Sequence, residues 1–456
     1  MMMMSGRRLL SMLMLVVCSM VAGDQWNVVV VDSIGSNGKS SSIRLDGNDV
    51  PHIAYQGDHL AGILKYTVRD GGEWDKWTVF SHDIVGYITL VLVPPQPPDT
   101  TWLPRISSFY SAPGYDAIFY SSFNGTIWSN EWVGAIYSGN ESAMAMDFNN
   151  NPHISFMNSG SLNLMYAHYN GSDWLITVVD AAYMTGYSTS IAVEPGTDDH
   201  VHISYRDETN DRLMYAYFNG IDWSTSVVDA DGNVGRYTSL ALDSYNHPHI
   251  SYEDYTNKAL KYARWNGASW EITSVDTLAT NVYATSLALD SQDNPHISYE
   301  RNLGSLSYAH WNGTVWAITT VDPSIGGGQG LHSTSITLDS GDNPHISYWD
   351  GGEWDLKYAY YGPVGIEGQG PPEDFLLGSI YPNPAVTSVY VVFTVPLHSS
   401  VAFDVYDVSG RVVREMEESF DPGTHTVTLD GLETGVYFIR MQAGGFTASS
   451  RFLVLR

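Results

Sequence analysis

Six histidines recur at equivalent places along this chain, and imidazole is a side chain that can bind a metal ion or transfer a proton. Each is the second residue of a repeated pattern whose clearest copy is Pro-His-Ile-Ser-Tyr at residues 295 to 299. The six are His52, His153, His202, His249, His296 and His345, and Arg105 stands at the place of a seventh. A metal site needs three or four ligands on one ion, whereas side chains repeated once per structural unit lie far apart. The pattern therefore predicts a structural hydrogen bond that recurs along the chain.

Aspartates recur at a second fixed place, as the last residue of a Val-Asp pair. They are Asp32, Asp180, Asp229, Asp276 and Asp322. Carboxylates in such a position accept hydrogen bonds from loop amides, and we expect that role here. The turn from Asp229 to Asn233 resembles the start of a calcium loop, but the glutamate that completes such a loop is absent. The sequence indicates no cofactor, with calcium at this turn as the one alternative.

The spacing of the repeated pattern predicts the fold. Counted from the second residue of each copy, the steps are 53, 48, 49, 47, 47 and 49 residues. A period of this length, made of short strand-like runs and turn residues, is typical of β-propellers. The chain is therefore predicted to be all-β, with a seven-bladed β-propeller over residues 24–361.

Each repeat contains four strand-like runs, so each blade should have four antiparallel strands. In the fifth repeat the runs are 239–243, 248–252, 259–265 and 270–276. Asn-Gly separates the last two, which is a hairpin signal because both residues tolerate positive φ. The seventh repeat lacks a fourth run, and residues 26–32 match that run in other repeats. We expect this N-terminal strand to complete the last blade and close the ring, which removes the open sheet edges.

Aromatic and charged side chains gather in the loops that lead into the first strand of each blade. Small residues such as Ser239 and Ala241 should line that strand toward the axis, so these loops should surround the mouth of a central channel. The candidate ligand-binding residues are Tyr87, Tyr187, Arg236, Tyr237, Tyr283 and His332. Tyrosines at a concave mouth suit the apolar faces of sugars, and their hydroxyl groups can form hydrogen bonds. The alternative is that they only pack the loops.

The charge of the chain limits its partners. The sequence has 21 Lys and Arg against 50 Asp and Glu, a formal net charge of -29. Such a surface repels the phosphates of nucleic acids and the headgroups of anionic lipids. We therefore expect no nucleic-acid partner.

The N-terminus has the pattern of a signal peptide over residues 1–23. Arg7 and Arg8 precede an apolar run from residue 9 to residue 22, which is too short for a typical membrane span. Cys18 is the only cysteine, so removal of this segment would leave a chain that is exported without disulfides. No integral membrane segment is expected in the mature chain. Lipidation of Cys18 is the alternative, although the bulky Val17 before it disfavours this modification.

A second domain is predicted after the propeller. Residues 362–374 are rich in Gly and Pro, as linkers are. Residues 375–456 contain five further strand-like runs, predicted to form a small Ig-like β-sandwich: 389–395, 401–407, 423–429, 435–442 and 448–455.

This second domain resembles two related families. Three stretches carry the resemblance: Tyr-Pro-Asn-Pro at 381–384, Val-Tyr-Asp-Val-Ser-Gly-Arg-Val-Val at 405–413 and Gly-Val-Tyr-Phe-Ile-Arg at 435–440. Together with the terminal Arg-Phe-Leu-Val-Leu-Arg they look like the C-terminal sorting domain of type IX secretion substrates. The Ig-like domain of flagellar hook-capping proteins shares much of this pattern. The first resemblance implies a bacterial protein that is secreted or held at the outer-membrane surface, with the secretion machinery as a partner; the second implies a structural module.

The repeats also resemble the propellers of sialidases. The Asp box of that family, Ser-x-Asp-x-Gly-x-x-Trp, lies between the third and fourth strands, where Gly171 and Trp174 align with its Gly and Trp. Ala167 and Tyr169 stand in place of its Ser and Asp. Sialidases also have six blades and an arginine triad, for which this chain shows no motif. The resemblance is to the architecture and implies no activity by itself.

These observations favour an exported, non-catalytic propeller that binds a glycan or another surface polymer. Two alternatives stay open: a sialidase-like glycoside hydrolase or lyase, and a structural surface protein that makes protein contacts. Three acids in the mouth loops, Asp83, Glu141 and Asp231, are not paired by any motif. Convergent acids with shifted pKa values would favour the enzyme, and an aromatic mouth without them would favour the binder.

Overall fold

The computed structural model describes residues 24–454 apart from a set of short segments. The segments left out are 59–61, 71, 82–83, 96–100, 113–114, 135–137, 197–199, 280, 303, 327–332, 364–374, 382–384, 386–387 and 421–422. Every regular element of the described residues is a β-strand. The predicted signal peptide with Cys18, and most of the predicted linker, lie outside these residues. Across the described part of the chain, no helix is long and apolar enough to cross a membrane.

The repeats fold into short strands, as their short apolar runs between turn residues predict. The strands are β1 (Asp24–Asp32), β2 (Ser41–Leu45), β3 (Pro51–Gly57), β4 (Ile63–Asp70), β5 (Glu73–Ser81), β6 (Ile84–Val93), β7 (Leu103–Ala112), β8 (Tyr115–Phe123), β9 (Trp128–Trp132), β10 (Ser138–Met146), β11 (Pro152–Asn158), β12 (Leu164–Tyr169), β13 (Trp174–Asp180), β14 (Thr185–Val193), β15 (His200–Asp207), β16 (Arg212–Asn219), β17 (Trp223–Asp229), β18 (Val234–Leu242), β19 (Pro248–Asp254), β20 (Ala259–Trp265), β21 (Trp270–Asp276), β22 (Val282–Leu289), β23 (Pro295–Arg301), β24 (Ser305–Trp311), β25 (Trp316–Asp322), β26 (Thr334–Leu338), β27 (Pro344–Asp350) and β28 (Asp355–Pro363).

These strands form seven four-stranded antiparallel sheets in the described residues, which confirms the predicted all-β class and the predicted blades. Blades 1 to 6 each take four successive strands: β2–β5, β6–β9, β10–β13, β14–β17, β18–β21 and β22–β25. Blade 7 contains β26, β27 and β28, with β1 as its outer strand.

Blade 5 follows its predicted pattern closely, since β20 and β21 have the predicted bounds. Its first strand begins earlier than predicted, at Val234, because pairing continues beyond an irregularity between Arg236 and Ser239. Bulges interrupt the alternation of side chains, so a reading based on alternation ends the strand there. The extra residues carry the chain toward the channel mouth.

The outer strand of blade 7 comes from the opposite end of the repeats. β1 pairs antiparallel with β28, with Trp26 opposite Tyr361 and Val28 opposite Ala359. The sequence predicted this pairing for residues 26–32, and the strand extends it to Asp24. That the pairing closes the ring in solution stays a prediction.

Serines on the first strands join neighbouring blades. The Oγ atom of Ser239 accepts a hydrogen bond from the backbone N–H of Leu287 at 3.0 Å, and Ser335 accepts one from Ile43 at 3.2 Å. Equivalent bonds join Ser42 to Leu90, Ser190 to Leu240 and Ser286 to Ile336. The sequence analysis placed these small residues toward the axis. The structure adds that their hydroxyl groups satisfy backbone donors of the next blade.

The repeated histidines make a structural bond, as predicted. A tyrosine hydroxyl of the third strand lies beside Nδ1 of each ring, at 2.5 to 2.6 Å in the pairs His153–Tyr166, His202–Tyr215, His249–Tyr262, His296–Tyr308 and His345–Tyr358, and His52 has the same partner type in Tyr66. The Nε2 atom of each faces a carboxylate at 3.0 to 3.8 Å. Because a carboxylate only accepts, Nε2 carries the proton and Nδ1 accepts from the tyrosine. Burial lowers the pKa of His249, so this ring is neutral at physiological pH.

The repeated aspartates bind their own loop and also the next blade. Asp229 accepts from the backbone N–H of Asp231 at 2.9 Å, as expected, and from the hydroxyl of Tyr252 at 2.7 Å. The same tyrosine bond joins Tyr55 to Asp32, Tyr205 to Asp180, Tyr299 to Asp276 and Tyr348 to Asp322. The ammonium group of Lys261 lies 2.7 Å from the Asp229 carboxylate. This cation already neutralises the carboxylate that a calcium ion would need, so the turn does not fit a calcium site.

Apolar packing lies between neighbouring blades. Leu260 of blade 5 and Ile297 of blade 6 belong to one buried cluster. At every blade interface a tryptophan at or near the start of an outer strand packs edge-on against a tyrosine of the preceding blade. The ring centroids are 5.1 to 5.6 Å apart. The pairs are Trp26–Tyr308, Trp74–Tyr358, Trp128–Tyr66, Trp174–Tyr120, Trp223–Tyr166, Trp270–Tyr215 and Trp316–Tyr262. We call these the interface Trp–Tyr pairs.

The C-terminal residues form a two-sheet sandwich. Its strands are β29 (Leu376–Tyr381), β30 (Ser388–Val395), β31 (Ser399–Asp407), β32 (Val412–Phe420), β33 (Gly423–Asp430), β34 (Gly435–Ala443) and β35 (Phe446–Val454). One sheet has the order β29-β30-β33 and the other β32-β31-β34-β35. Phe393 of the first sheet and Phe403 of the second share a buried core. The five predicted runs are present, and the sequence analysis missed β29 and β32. β32 is mostly exposed and four of its nine residues are charged, so it lacks a clear alternation of apolar residues.

Candidate ligand-binding site at the channel mouth

The candidate site lies where the first strands begin. In blades 2, 4, 5 and 6 the backbone there bulges, and Tyr87, Ser188, Tyr237 and Ala284 have φ between 46° and 54°. These four positions are equivalent. In each blade the motif serine pairs with a residue of the first strand, and the positive-φ residue lies two places before that residue. Positive φ is uncommon for residues other than glycine, and such backbone strain is concentrated at functional sites.

Glu141 holds the equivalent position in blade 3. Its carboxylate accepts a hydrogen bond from the backbone N–H of Ser188 in blade 4. Burial raises the pKa of Glu141 to about 7, against the opposing effect of this bond. The pKa values of Tyr87 and Tyr237 are raised first by burial and also by the charge of Glu141. Tyr87 and Tyr237 belong to blades 2 and 5, which are not neighbours, and both are close enough to Glu141 for its charge to affect their pKa.

A second acid lies beside Tyr237 in blade 5. Glu253 is opposite Arg236 in the pairing of β18 with β19 and is only 2% exposed. Burial raises the pKa of Glu253 to about 7, even though the positive charges of Arg236 and Arg206 lower it. Negative charge at Glu253 in turn raises the pKa of Tyr237, after the larger effect of burial. Tyr237 therefore lies within electrostatic reach of both acids.

Two further tyrosines extend the site along blades 4 and 6. The rings of Tyr237 and Tyr283 meet edge to face, with centroids 6.0 Å apart. Tyr187 is opposite Arg206 in the pairing of β14 with β15, and Tyr283 is opposite Glu300 in the pairing of β22 with β23. Burial, followed by neighbouring carboxylates, raises the pKa of both tyrosines.

The two arginines of the site are already engaged by protein groups. Arg206 is fully buried and donates hydrogen bonds to Glu208, Asp211 and the backbone oxygen of Val234. Arg236 lies over the ring of Tyr255 at 4.6 Å, and its Nη2 atom is 3.8 Å from Oε1 of Glu208. The guanidinium of Arg206 is therefore fully used by protein groups. The charge of Arg236 is balanced by Glu208, although its side chain is 33% exposed.

Five of the six predicted site residues are described. Tyr187, Arg236, Tyr237 and Tyr283 form one wall of the mouth on blades 4 to 6, which we call the tyrosine wall. Tyr87 approaches from blade 2, and His332 lies outside the described residues. Of the three acids noted in the sequence, Glu141 lies in the mouth and Asp231 is exposed on its turn, whereas Asp83 lies outside the described residues.

Sequence reasoning missed the charged residues that complete the site. These charged residues are Arg206, Glu253 and Glu300, and they stand just after the repeated motif. That position is buried in every blade, and its other occupants are Gln56, Phe109, Met157 and Trp349. The neighbouring motif residues hardly change between blades, whereas this position is uncharged in blades 1, 2, 3 and 7 and charged in blades 4 to 6. That contrast is the signal that could have identified Arg206 and Glu253. Among the described residues, no three His, Cys, Asp or Glu side chains are placed to hold one metal ion.

Solved structures share the fold at low sequence identity. An ulvan lyase of a new polysaccharide lyase family, bound to a GlcA(1-4)Rha3S unit, is 13% identical with a TM-score of 0.50, covering 75% of this chain and 96% of that one. A lectin of Aleuria aurantia in complex with Fucα1-6GlcNAc is 13% identical with a TM-score of 0.44, covering 62% and 96%. A protein of unknown function from Dyadobacter fermentans is 12% identical with a TM-score of 0.44, covering 74% and 98%. The likeness to the ulvan lyase concerns the fold alone.

The C-terminal domain matches a family by sequence. No protein of curated function matches the chain. Residues 379–455 match the model of the secretion system C-terminal sorting domain. This match agrees with the resemblance in residues 381–384, 405–413 and 435–440. The chain is therefore a propeller that carries a type IX sorting domain, which places it outside the cell or on the outer-membrane surface of a bacterium.

Proposed function

We propose that this protein is an exported polysaccharide-binding propeller that holds a saccharide against the tyrosine wall. The observation that carries the proposal is the placement of Tyr187, Tyr237 and Tyr283 at one mouth of the channel, with Glu141 bonded beside Tyr187 at Ser188 and the buried Glu253 opposite Arg236. The sorting domain supports it, because an exported protein meets the polymers of the cell surface and the surroundings.

The wall combines apolar faces with hydrogen-bonding groups. Tyr187, Tyr237 and Tyr283 are all partly exposed, so their rings remain accessible from the channel side. A pyranose ring packs its C–H face on an aromatic ring, while its hydroxyl groups need donors and acceptors around it. Three phenol hydroxyls and the neighbouring carboxyls provide both.

The acids favour a neutral ligand. With pKa values near 7, Glu141 and Glu253 are substantially protonated at neutral pH, so they add less negative charge to the mouth than ordinary glutamates would. An anionic sugar would meet the remaining negative charge and the net charge of -29 without an unpaired arginine to hold it. We therefore expect neutral glycans to bind better than uronate-rich or sulfated ones.

A second candidate function, glycoside hydrolysis, is favoured by the two raised pKa values. Hydrolysis needs one protonated and one ionised carboxyl group on opposite sides of the scissile bond. Glu141 and Glu253 meet the pKa part of the condition that the sequence analysis set for an enzyme. In this alternative one of them is the general acid and the other the base or nucleophile, which requires the glycan to reach Glu253, a side chain that is only 2% exposed.

The test is a glycan and polysaccharide array probed with the exported chain and its variants. The triple change Tyr187→Ala, Tyr237→Ala and Tyr283→Ala should abolish binding, while Tyr390→Ala in the C-terminal sandwich should not. A triple change to Phe retains the rings and tests the hydroxyl groups. Circular dichroism checks that each variant is folded. Retained binding by the Ala variant, or no binding by the folded native chain, would show the proposal to be wrong.

The same array separates binding from hydrolysis. Incubation of each bound glycan with the native chain, followed by measurement of new reducing ends, detects cleavage. Cleavage that is lost in both Glu141→Gln and Glu253→Gln would assign the enzyme. Binding without cleavage, retained in these two variants, would assign the binder.

A further inference from the structure

Two grooves lie between blades on the face opposite the mouth. Because each blade is an antiparallel meander, the turns between its first and second strands and between its third and fourth strands reach this opposite face. A cavity of about 520 Å³ lies between blades 5 and 6, and one of about 320 Å³ lies between blades 4 and 5. Both volumes fall in the range of small-molecule sites.

The floor of each groove is structural. In the larger groove it is the interface pair Trp316–Tyr262, whose tyrosine hydroxyl lies 2.5 Å from Nδ1 of His249. In the smaller groove it is the pair Trp270–Tyr215, with the same contact to His202 at 2.6 Å. These contacts recur at the other interfaces, so they stabilise the ring and do not by themselves indicate a ligand.

The side walls of these two grooves differ from those of the other blade interfaces. Trp265 and Trp311 end the third strands of blades 5 and 6, and both are only partly buried. The equivalent residue in blade 4 is Phe218, which lines neither groove. Trp265 lines both grooves, whereas Trp311 lines the larger one alone. Two accessible indole rings therefore stand along this part of the face.

Polar groups face the indole rings across the larger groove. Nε of Arg264 donates to Oε2 of Glu271 at 2.8 Å, and the amide of Asn266 donates to Oε1 of the same carboxylate at 2.7 Å. The Nδ1 atom of His247 lies 3.3 Å from a carboxylate oxygen of Asp243. Arg264 and Glu271 are exposed, so their remaining donors and acceptors are available to a ligand.

We propose that these two grooves form a second saccharide-binding surface, which takes a neutral oligosaccharide. Indole faces beside paired donors and acceptors match the alternating apolar and hydroxylated surfaces of a pyranose. The cation of Arg264 is balanced by Glu271, and the chain as a whole carries -29, so charge does not select an anionic sugar.

Trp265 lines both grooves and therefore connects them into one continuous surface. An oligosaccharide that lies across Trp311 and Trp265 passes from the larger groove to the smaller one, so one chain of several sugar units contacts both. The surface faces away from the tyrosine wall, so a polymer bound at one face leaves the other accessible. Two such sites on one rigid ring raise the avidity for a polymer above the affinity for either site.

The test is isothermal titration of the full exported chain with neutral hexasaccharides of glucose, mannose and xylose, beside a sulfated and a uronate oligosaccharide. Trp311→Ala and Trp265→Ala should each weaken binding of the preferred neutral hexasaccharide at least about tenfold. Phe218→Ala, the matched change in blade 4, should alter it less than about twofold. The thermal unfolding of each variant is measured in parallel.

The outcomes separate this surface from the tyrosine wall. Binding that survives the triple tyrosine change and is lost in Trp311→Ala supports the groove surface, whatever happens at the mouth. Three results overturn it: binding unchanged in both tryptophan variants, equal losses in the Phe218 control, or no binding of any neutral hexasaccharide to the folded chain. Stronger binding of the sulfated or uronate probe would overturn the assignment of a neutral ligand.

Discussion

The indole ring of Trp26 packs edge-on against Tyr308, with the two ring centroids 5.1 Å apart. Trp26 lies in β1 and Tyr308 in β24, yet the contact is the one that Trp316 makes with Tyr262 between blades 5 and 6. A residue from the start of the described chain thus serves as the interface tryptophan of blade 7.

We expect Trp26→Ala to lower the free energy of unfolding by roughly 2–4 kcal/mol, because it removes a large, partly buried side chain from the interface of blades 6 and 7. Val28→Ala on the same strand, where the side chain is exposed, should cost less than about 0.5 kcal/mol. Urea denaturation followed by tryptophan fluorescence measures both. Equal effects of the two changes would mean that β1 does not contribute to closing the ring.

Tyr252→Phe should destabilise the fold by about 1–2 kcal/mol. The change removes the hydroxyl that bonds the buried carboxylate of Asp229 at 2.7 Å and so weakens the link between blades 4 and 5. Lys261 remains beside the carboxylate and limits the loss. Tyr245→Phe, which removes the same atom from an exposed ring, is the control in the same denaturation experiment. A Tyr252 variant as stable as this control would contradict the assigned role.

Ser286→Ala tests the serines that join first strands. The variant leaves the backbone N–H of Ile336 without its partner at 3.1 Å, and an unsatisfied buried donor costs roughly 1–3 kcal/mol. Ser269→Ala, at an exposed turn, should be close to neutral. Hydrogen exchange of the Ile336 amide reports on this one bond. Unchanged protection of that amide in the variant would show that the bond does not stabilise the contact between the blades.

The raised pKa values of Glu141 and Glu253 predict how the stability of the fold depends on pH. In the unfolded chain Glu141 and Glu253 ionise near their ordinary pKa of 4.5, whereas in the folded protein they keep their protons until about pH 7. The folded state then binds more protons in this window, so the free energy of unfolding falls as pH rises from about 4.5 to about 7. The stabilisation from these groups is complete below the window and lost above it.

The double variant Glu141→Gln with Glu253→Gln isolates this effect. Its urea midpoint should fall less than that of the native chain between about pH 5 and about pH 8. All other titrating groups are common to both proteins, so the difference belongs to the two acids. Parallel curves for the two proteins would contradict the raised pKa values.

The sequence predicted the architecture because equivalent residues make the same contacts in each blade. His249 and Tyr252 recur with their partners at a fixed spacing, and a repeated bond leaves a repeated residue. The site was only partly predicted. Arg206 and Glu253 follow the motif and break the repetition, so a search for repeated residues passes over them.

The bulges in the first strands explain why the arrangement of the mouth tyrosines could not be predicted from the sequence. Tyr237 lies at a bulge, while Tyr187 and Tyr283 lie one residue before the bulges of their own blades, so the mouth tyrosines belong to two levels. Alternation along a strand cannot show this, because a bulge shifts the facing of every residue beyond it. The electrostatic effect of Glu141 on Tyr87 and Tyr237 depends on blades that are distant in the chain, which the sequence pattern does not show.

The pairing of β1 with β28 also bears on the order in which the chain can fold. β1 has no partner until β28 is available, so the exposed Val28 and Val30 stay on an unpaired strand while the intervening blades form. Contacts of such long sequence separation form slowly. We expect the last step of folding to join the two ends of the repeat region, just ahead of the sorting domain at residues 379–455. Until that step, we expect the seventh blade to lack its outer strand and to leave the edge of β28 open to pairing with other chains.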